Sequence, residues 1–189
     1  YKGIKAVRAY RRRVERGELL PPFWFLALTN ACNLRCHGCW IESHGRPDAL
    51  SEEDIEQVIA AGKRHGSHFF TLLGGEPMLY PRWWEIPRRH RDCYFQVITN
   101  GMFFTEETVR RVRGLGNVTP LVSIDGLEQQ NDDRRGQGVY CAAMEGLGRL
   151  KKHKILFGVA TTVTGQNLDE VVTDEYVRLF IERGAMYLW

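Results

Sequence analysis

Three cysteines fall within eight residues, at Cys32, Cys36 and Cys39, in the run Cys-Asn-Leu-Arg-Cys-His-Gly-Cys. Their spacing is Cys-x3-Cys-x2-Cys. A structural zinc site is closed and four-coordinate, and no fourth Cys or His stands at knuckle spacing nearby. Thiolates held this tightly suit an iron–sulfur cluster. Three thiolates on a four-iron cluster leave one iron without a protein ligand. That open iron is a place for a small molecule to bind and react.

Two further stretches carry polar groups directly after apolar runs. Gly74-Gly75-Glu76-Pro77 follows the run 68–73. Its glycines let the backbone approach a ligand closely, and its carboxylate can accept hydrogen bonds from an ammonium group. A plain turn is the other reading. Ser123-Ile124-Asp125-Gly126 precedes Asn131-Asp132-Asp133-Arg134-Arg135-Gly136, whose arginines, taken alone, read equally as solvated loop residues. The remaining candidates are quiet. His37, His44, His65, His68, His90 and His153 show no metal spacing with one another. Cys93 and Cys141 are isolated and do not read as nucleophiles, and no Ser/His/Asp or Walker-type pattern occurs.

The elements that must position these groups alternate. Residues 1–18 carry Lys2, Lys5, Arg8, Arg11, Arg12, Arg13 and Arg16, with Ile4, Val7, Tyr10 and Val14 at helical spacing. This predicts a basic amphipathic helix, either packed on the domain or facing an anionic partner or membrane surface, and ended by Pro21-Pro22. Strands are predicted at 23–29, 68–73, 94–98, 118–124, 155–163 and 185–189. Pro120 suggests that the fourth begins only at Leu121. Helices are predicted from Ser51 to about His65, over 82–90, after the Thr105 cap, over 139–153, and after Asn167, the last with Val171, Val172, Tyr176, Leu179, Phe180 and Ile181 as its buried face. Six strands alternating with five helices imply parallel strands with right-handed crossovers. The domains are thus 1–22, a basic helix, and 23–189, an α/β unit.

The chain has 189 residues, 43% hydrophobic and 26% charged, with a net charge of +3. That is an ordinary globular composition, and the charge is too small to argue for nucleic acid. No signal peptide or run long enough for a membrane span is visible, and the odd cysteine count is not a disulfide framework. A reducing cytoplasm is expected. The chain opens without Met and stops inside an apolar run, so a longer parent protein is expected.

The cysteine spacing, with Gly-Gly-Glu-Pro one βα unit later, resembles the radical S-adenosylmethionine (SAM) superfamily. The resemblance runs from about Phe23 to Trp189 and implies a partial (β/α)6 TIM-like barrel of parallel strands, truncated at its C-terminus. In such barrels chemistry lies at the C-terminal strand ends. It implies a 4Fe-4S cluster on Cys32, Cys36 and Cys39, with SAM on the open iron and cleaved to a 5′-deoxyadenosyl radical. Gly74, Gly75 and Glu76 would seat the SAM amino group. Ser-x-Asp-Gly and the following arginine resemble the branch acting on peptides and related substrates, although Asn131 stands where a histidine is usual. Counting from Asp132 favours Arg135 as the carboxylate partner. Asn100 and Ser123 would reach the ribose or carboxylate, and Thr161 and Thr162 the adenine side. Gly38 stands where an aromatic residue is usual; Trp40 could supply that surface, and some lipid-modifying members carry a small residue there. The implied partners are a flavodoxin- or ferredoxin-type electron donor and a peptide, protein, lipid or isoprenoid substrate, with peripheral membrane contact through 1–18. The alternatives are an iron–sulfur electron-transfer or binding module without SAM cleavage, and a zinc-binding interaction domain.

Overall fold

Each apolar run predicted as a strand pairs with the next one along the chain. In the computed structural model, which describes residues 2–18, 21–41 and 48–189, the strands are β1 (Trp24–Ala27), β2 (Phe69–Leu73), β3 (Tyr94–Thr99), β4 (Val118–Ser123) and β5 (Gly158–Ala160). They form one sheet in that order, and every pairing is parallel. The crossovers carry α2 (Glu52–Arg64), α3 (Glu85–Arg89), α4 (Glu106–Leu115), and the pair α5 (Glu128–Arg135) and α6 (Val139–Lys152). α1 (Lys2–Glu15) precedes the sheet; α7 (Leu168–Val171) and α8 (Asp174–Glu182) follow β5. The cap residues start their helices for the expected reason. Ser51 and Asp54 exchange the two bonds of a capping box, and the Thr105 hydroxyl accepts from Thr108 N–H.

The two faces of the sheet differ. Phe70, Leu72, Phe95 and Val97 pack against Ile55, Ile59, Trp83 and Ile86 of the covering segments. Val122, Ile124 and Val159 pack against Leu147, Leu150 and Phe180. Along the opposite face, Phe25, Thr71, Gln96 and Thr119 stand in register across four strands. This row is partly polar and bonded internally: Thr71 Oγ1 donates to Gln96 Oε1 at 3.4 Å, and Gln96 Nε2 donates to the Tyr187 hydroxyl at 3.0 Å. The Tyr187 ring lies so close over Gly158 that any Cβ there would overlap it.

Several expectations need correction. The sixth run lies parallel along β5, with one bridge, Leu188 to Val159, and backbone bonds from Val159 N–H to Tyr187 O, Trp189 N–H to Val159 O and Thr161 N–H to Trp189 O at 2.8 to 3.1 Å; it is the start of a sixth strand at the edge of a five-stranded sheet. Trp189 is exposed. The fifth strand is three residues long, not nine. Pro120 sits inside β4, opposite Val97. Phe95 N–H donates to Asn117 O, so residues 117, 119 and 121 turn their backbone groups to β3. Pro120 turns the other way, where the β5 ladder begins only at Leu121, and its missing N–H costs no bond. Residues 131–135 are helical, not a loop. The predicted last helix is split by the Thr173 N-cap into α7 and α8, which turns Val172 and Ile181 outward.

Of the apolar stripe of α1, Val7 and Val14 are exposed and Tyr10 is half-buried. Arg13 Nη1 bonds the helix to the Arg64 carbonyl at 3.2 Å, and its Nε donates to Glu18, just beyond the helix, at 2.6 Å. The side chains of Lys2, Ile4 and Lys5, and all of His44, lie outside the described residues. No helix among the described residues is long and apolar enough to cross a membrane.

Candidate active site

Every strand delivers a candidate residue at its C-terminal end. The cysteine loop leaves β1, Gly74–Glu76 leaves β2, Asn100 leaves β3, Ser123 ends β4 and Asp125 lies two residues on, and Thr161 leaves β5. The chain thereby gathers distant residues at one rim of the sheet.

Backbone bonds join the first two segments. Gly75 N–H donates to Thr29 O at 2.7 Å, and Glu76 N–H to Ala31 O at 2.8 Å, just before Cys32. A Cβ on Gly74 would overlap the Thr29 carbonyl, and one on Gly75 the Ala31 carbonyl. Gly74 also has φ +145°, a region that favours glycine. The glycines are therefore required by packing against the cysteine loop, a cause that differs from the expected approach to a ligand.

Glu76 is buried, at 1% exposure. Its Oε1 accepts from Met78 N–H and Thr99 Oγ1, and its Oε2 from Asn100 N–H at 2.8 Å. One carboxylate thus braces the ends of β2 and β3. Burial makes it a weaker acid than an ordinary glutamate, while these bonds and the Arg135 charge pull the other way. Asn100 in turn reaches the cysteine loop: its Nδ2 donates to Asn33 Oδ1 at 2.8 Å.

The other side of the rim is built on Asp125, whose side chain is fully buried. Thr162 N–H donates to its Oδ1 at 2.8 Å, and Arg135 Nε donates to its Oδ2 at 2.6 Å. Arg134 donates to the same Oδ2. The two guanidinium groups hold this carboxyl well below the usual range in spite of its burial. Both arginines also act on Cys36, lowering its thiol while burial pushes it up. The cysteine loop is fastened to α5 directly, since His37 N–H donates to the Arg134 carbonyl at 2.7 Å.

The donor set fits a cluster. Cys32, Cys36 and Cys39 are free thiols, two half-buried and one exposed, and cationic side chains stand beside them.

The structure therefore brings together Cys32, Cys36, Cys39, Glu76, Asn100 and Arg135 by hydrogen bonds or mutual charge effects. Ser123 stands half-buried at the same rim. Thr161 is turned elsewhere: its hydroxyl donates to Ile124 O and lies 2.9 Å from the Tyr176 hydroxyl of α8. Thr162 contributes its backbone, and its side chain is exposed. Trp40 is exposed, at 72%. Sequence reasoning assigned no role to Asn33, Asp125 or Arg134. It gave Asn131 none beyond its departure from histidine, yet Asn131 is fully buried and its Oδ1 accepts from Asp125 N–H at 3.1 Å. Asp132 caps α6, accepting from Gly138 and Tyr140 N–H. Asp125 could have been suspected from its place directly after β4. Asn33 carries no signal in the sequence. Cys93 lies buried at the opposite end of the sheet, where burial pushes its thiol up to about 12.

A family model described as the radical SAM superfamily matches residues 26–176. The maturation protein of sporulation killing factor, SkfB, from Bacillus subtilis is 35% identical over 157 residues, which are 80% of this chain and 38% of SkfB. An AdoMet-dependent heme synthase from Methanosarcina barkeri is 33% identical over 150 residues, 76% of this chain and 43% of that protein. Among solved structures, Streptococcus suis SuiB bound to S-adenosylmethionine aligns with a TM-score of 0.79 at 17% identity, covering 97% of this chain and 44% of SuiB. SuiB bound to its precursor peptide SuiA gives 0.78 at 18%, covering 97% and 42%. The chain spans less than half the length of each of these proteins.

Proposed function

The chain belongs to the radical SAM superfamily, and from that premise we propose that Cys32, Cys36 and Cys39 hold a 4Fe-4S cluster at which SAM is cleaved to activate a peptide substrate. When bound, the cluster supplies the electron that breaks the SAM sulfonium and leaves a 5′-deoxyadenosyl radical. The chain's own residues hold the cofactor. Arg135, and equally Arg134, offer the guanidinium N–H groups not used by Asp125 to the SAM carboxylate, a charge-assisted contact. Glu76 retains a lone pair for the SAM amino group. Asn100 and Ser123 border the ribose and carboxylate side. An external flavodoxin- or ferredoxin-type protein supplies the electron.

The observation that carries this reading is the convergence of three free thiols, two arginines and one buried glutamate on a single rim. An electron carrier has no use for paired anion- and amine-binding groups. The peptide assignment is supported by the names of SkfB, a maturation protein, and of the SuiB complex with a precursor peptide. Cys36→Ala is expected to lose cluster absorbance and at least about 100-fold of SAM cleavage, since a direct metal ligand matters at least as much as its outer partners. Release of 5′-deoxyadenosine at the unmodified rate by that variant would refute the proposal.

A lipid substrate is the second reading, favoured by exposed Val7 and Val14 among the arginines of α1. Co-sedimentation with anionic liposomes should then require residues 1–18. Equal sedimentation with and without them removes this reading.

A further inference from the structure

A second group of metal-binding side chains lies at the opposite end of the sheet from the cysteine loop. His68 immediately precedes β2, and Asp92 and Cys93 immediately precede β3. Parallel pairing brings these strand starts side by side, Phe69 opposite Tyr94. One ligand atom from each residue falls within 4.8 Å of the others. Cys93 Sγ is 4.0 Å from His68 Nδ1. A tetrahedral zinc ion, with bonds of about 2.0 Å to nitrogen and about 2.3 Å to sulfur, needs this nitrogen and sulfur only a few tenths of an ångström closer.

The same three residues line a cavity of about 330 Å³, walled on one side by Val7 and Tyr10 of α1. Asn117 lines it too, and is nine-tenths buried. Its Nδ2 donates to the carbonyls of Pro87, His90 and Cys93 at 3.0 to 3.2 Å, which fixes the orientation of the amide. Its Oδ1 is left without a donor among the described residues. A buried acceptor without a donor is costly, and here it belongs to an amide bonded to the backbone of Cys93 itself.

We propose that His68, Asp92 and Cys93 form a divalent-metal site of zinc type, with its fourth position open to the cavity and taken by a water that donates to Asn117. The ligand set is mixed nitrogen, oxygen and sulfur, which suits zinc rather than magnesium or calcium. Three protein ligands and one open position make an exchangeable site rather than a closed structural one. Lys63 is the competing cation: its Nζ is 2.8 Å from Asp92 Oδ1, so the ion takes the other carboxylate oxygen. The bound ion displaces the Cys93 proton.

Cobalt(II) is the probe, because a thiolate ligand gives it a charge-transfer band. The protein used carries Cys32→Ala, Cys36→Ala and Cys39→Ala, leaving Cys93 and Cys141 as its only thiols. A cobalt–thiolate band is expected that survives Cys141→Ser, vanishes with Cys93→Ser and weakens at least about 100-fold in affinity with His68→Ala. No band, or a band that survives Cys93→Ser, overturns the proposal. If the triple variant does not fold, zinc is measured in cluster-loaded protein after dialysis against zinc. One ion per chain that is lost in Cys93→Ser supports the site, and equal zinc in both proteins overturns it.

Discussion

Asp125 is the residue on which the cationic side of the rim depends. Its carboxylate binds Arg134, Arg135 and the Thr162 amide while fully buried. Removing one partner of a buried ion pair leaves uncompensated charge, and here two guanidinium groups would lose their anchor. Asp125→Asn is expected to cost about 3–5 kcal/mol in urea unfolding and, where the variant folds, to weaken SAM binding. The sign of its pH dependence follows from a carboxyl held below its ordinary value by Arg135, Thr162 and Arg134 against the effect of burial. The stability it contributes is complete above the ordinary aspartate value of about 3.9 and is lost as pH falls through the lower folded value. The sequence made the cysteines plain, because their spacing is itself chemical. Asp125 and Arg134 were not assigned, because their roles depend on which side chains meet after five strands have come into register.

At the scale of elements, His90 joins α2 to the end of α3. Its Nδ1 is 3.0 Å from Lys63 Nζ and its Nε2 is 2.9 Å from Glu56 Oε2. The neutral ring with its proton on Nε2 serves both, accepting from Lys63 and facing Glu56 with its N–H. Burial holds its basicity down, Lys63 adds to this, and Glu56 and Asp92 oppose it. For a base so lowered, stability is complete above the unfolded value of about 6.5 and declines below it, where only the unfolded chain takes up the proton. The urea midpoint should therefore fall on acidification through that range, and His90→Gln should flatten the dependence. Helix starts were legible because Ser51 and Thr105 act on their own next turn. The ends of β5 and the break between α7 and α8 were not. The end of β5 is set by where Tyr187 and the run 185–189 lie against it, which no local pattern encodes, and the break comes from the Thr173 cap, which a continuous apolar face concealed.

At the scale of the molecule, α1 is an attachment at the lower end of the sheet rather than part of its core. Arg13 bonds Glu18 and the Arg64 carbonyl, and Val7 and Tyr10 wall the cavity beside Cys93. Deleting residues 1–17 should leave the sheet folded and lower the melting temperature by about 2–8 °C, the equivalent of about 1–2 kcal/mol. Alkylation of Cys93 in the native state should accelerate. An unfolded chain after that deletion would show that α1 belongs to the core. The overall architecture was legible because alternating apolar runs and capped helices leave few topologies open. The strand order β1-β2-β3-β4-β5 has one more consequence. No strand waits for a later one to be inserted between itself and its neighbour. As the polypeptide leaves the ribosome, each new βα unit can add to an edge that already exists. Synthesis and sheet growth then run in the same direction, and the cysteine loop is in place at the first edge long before translation ends.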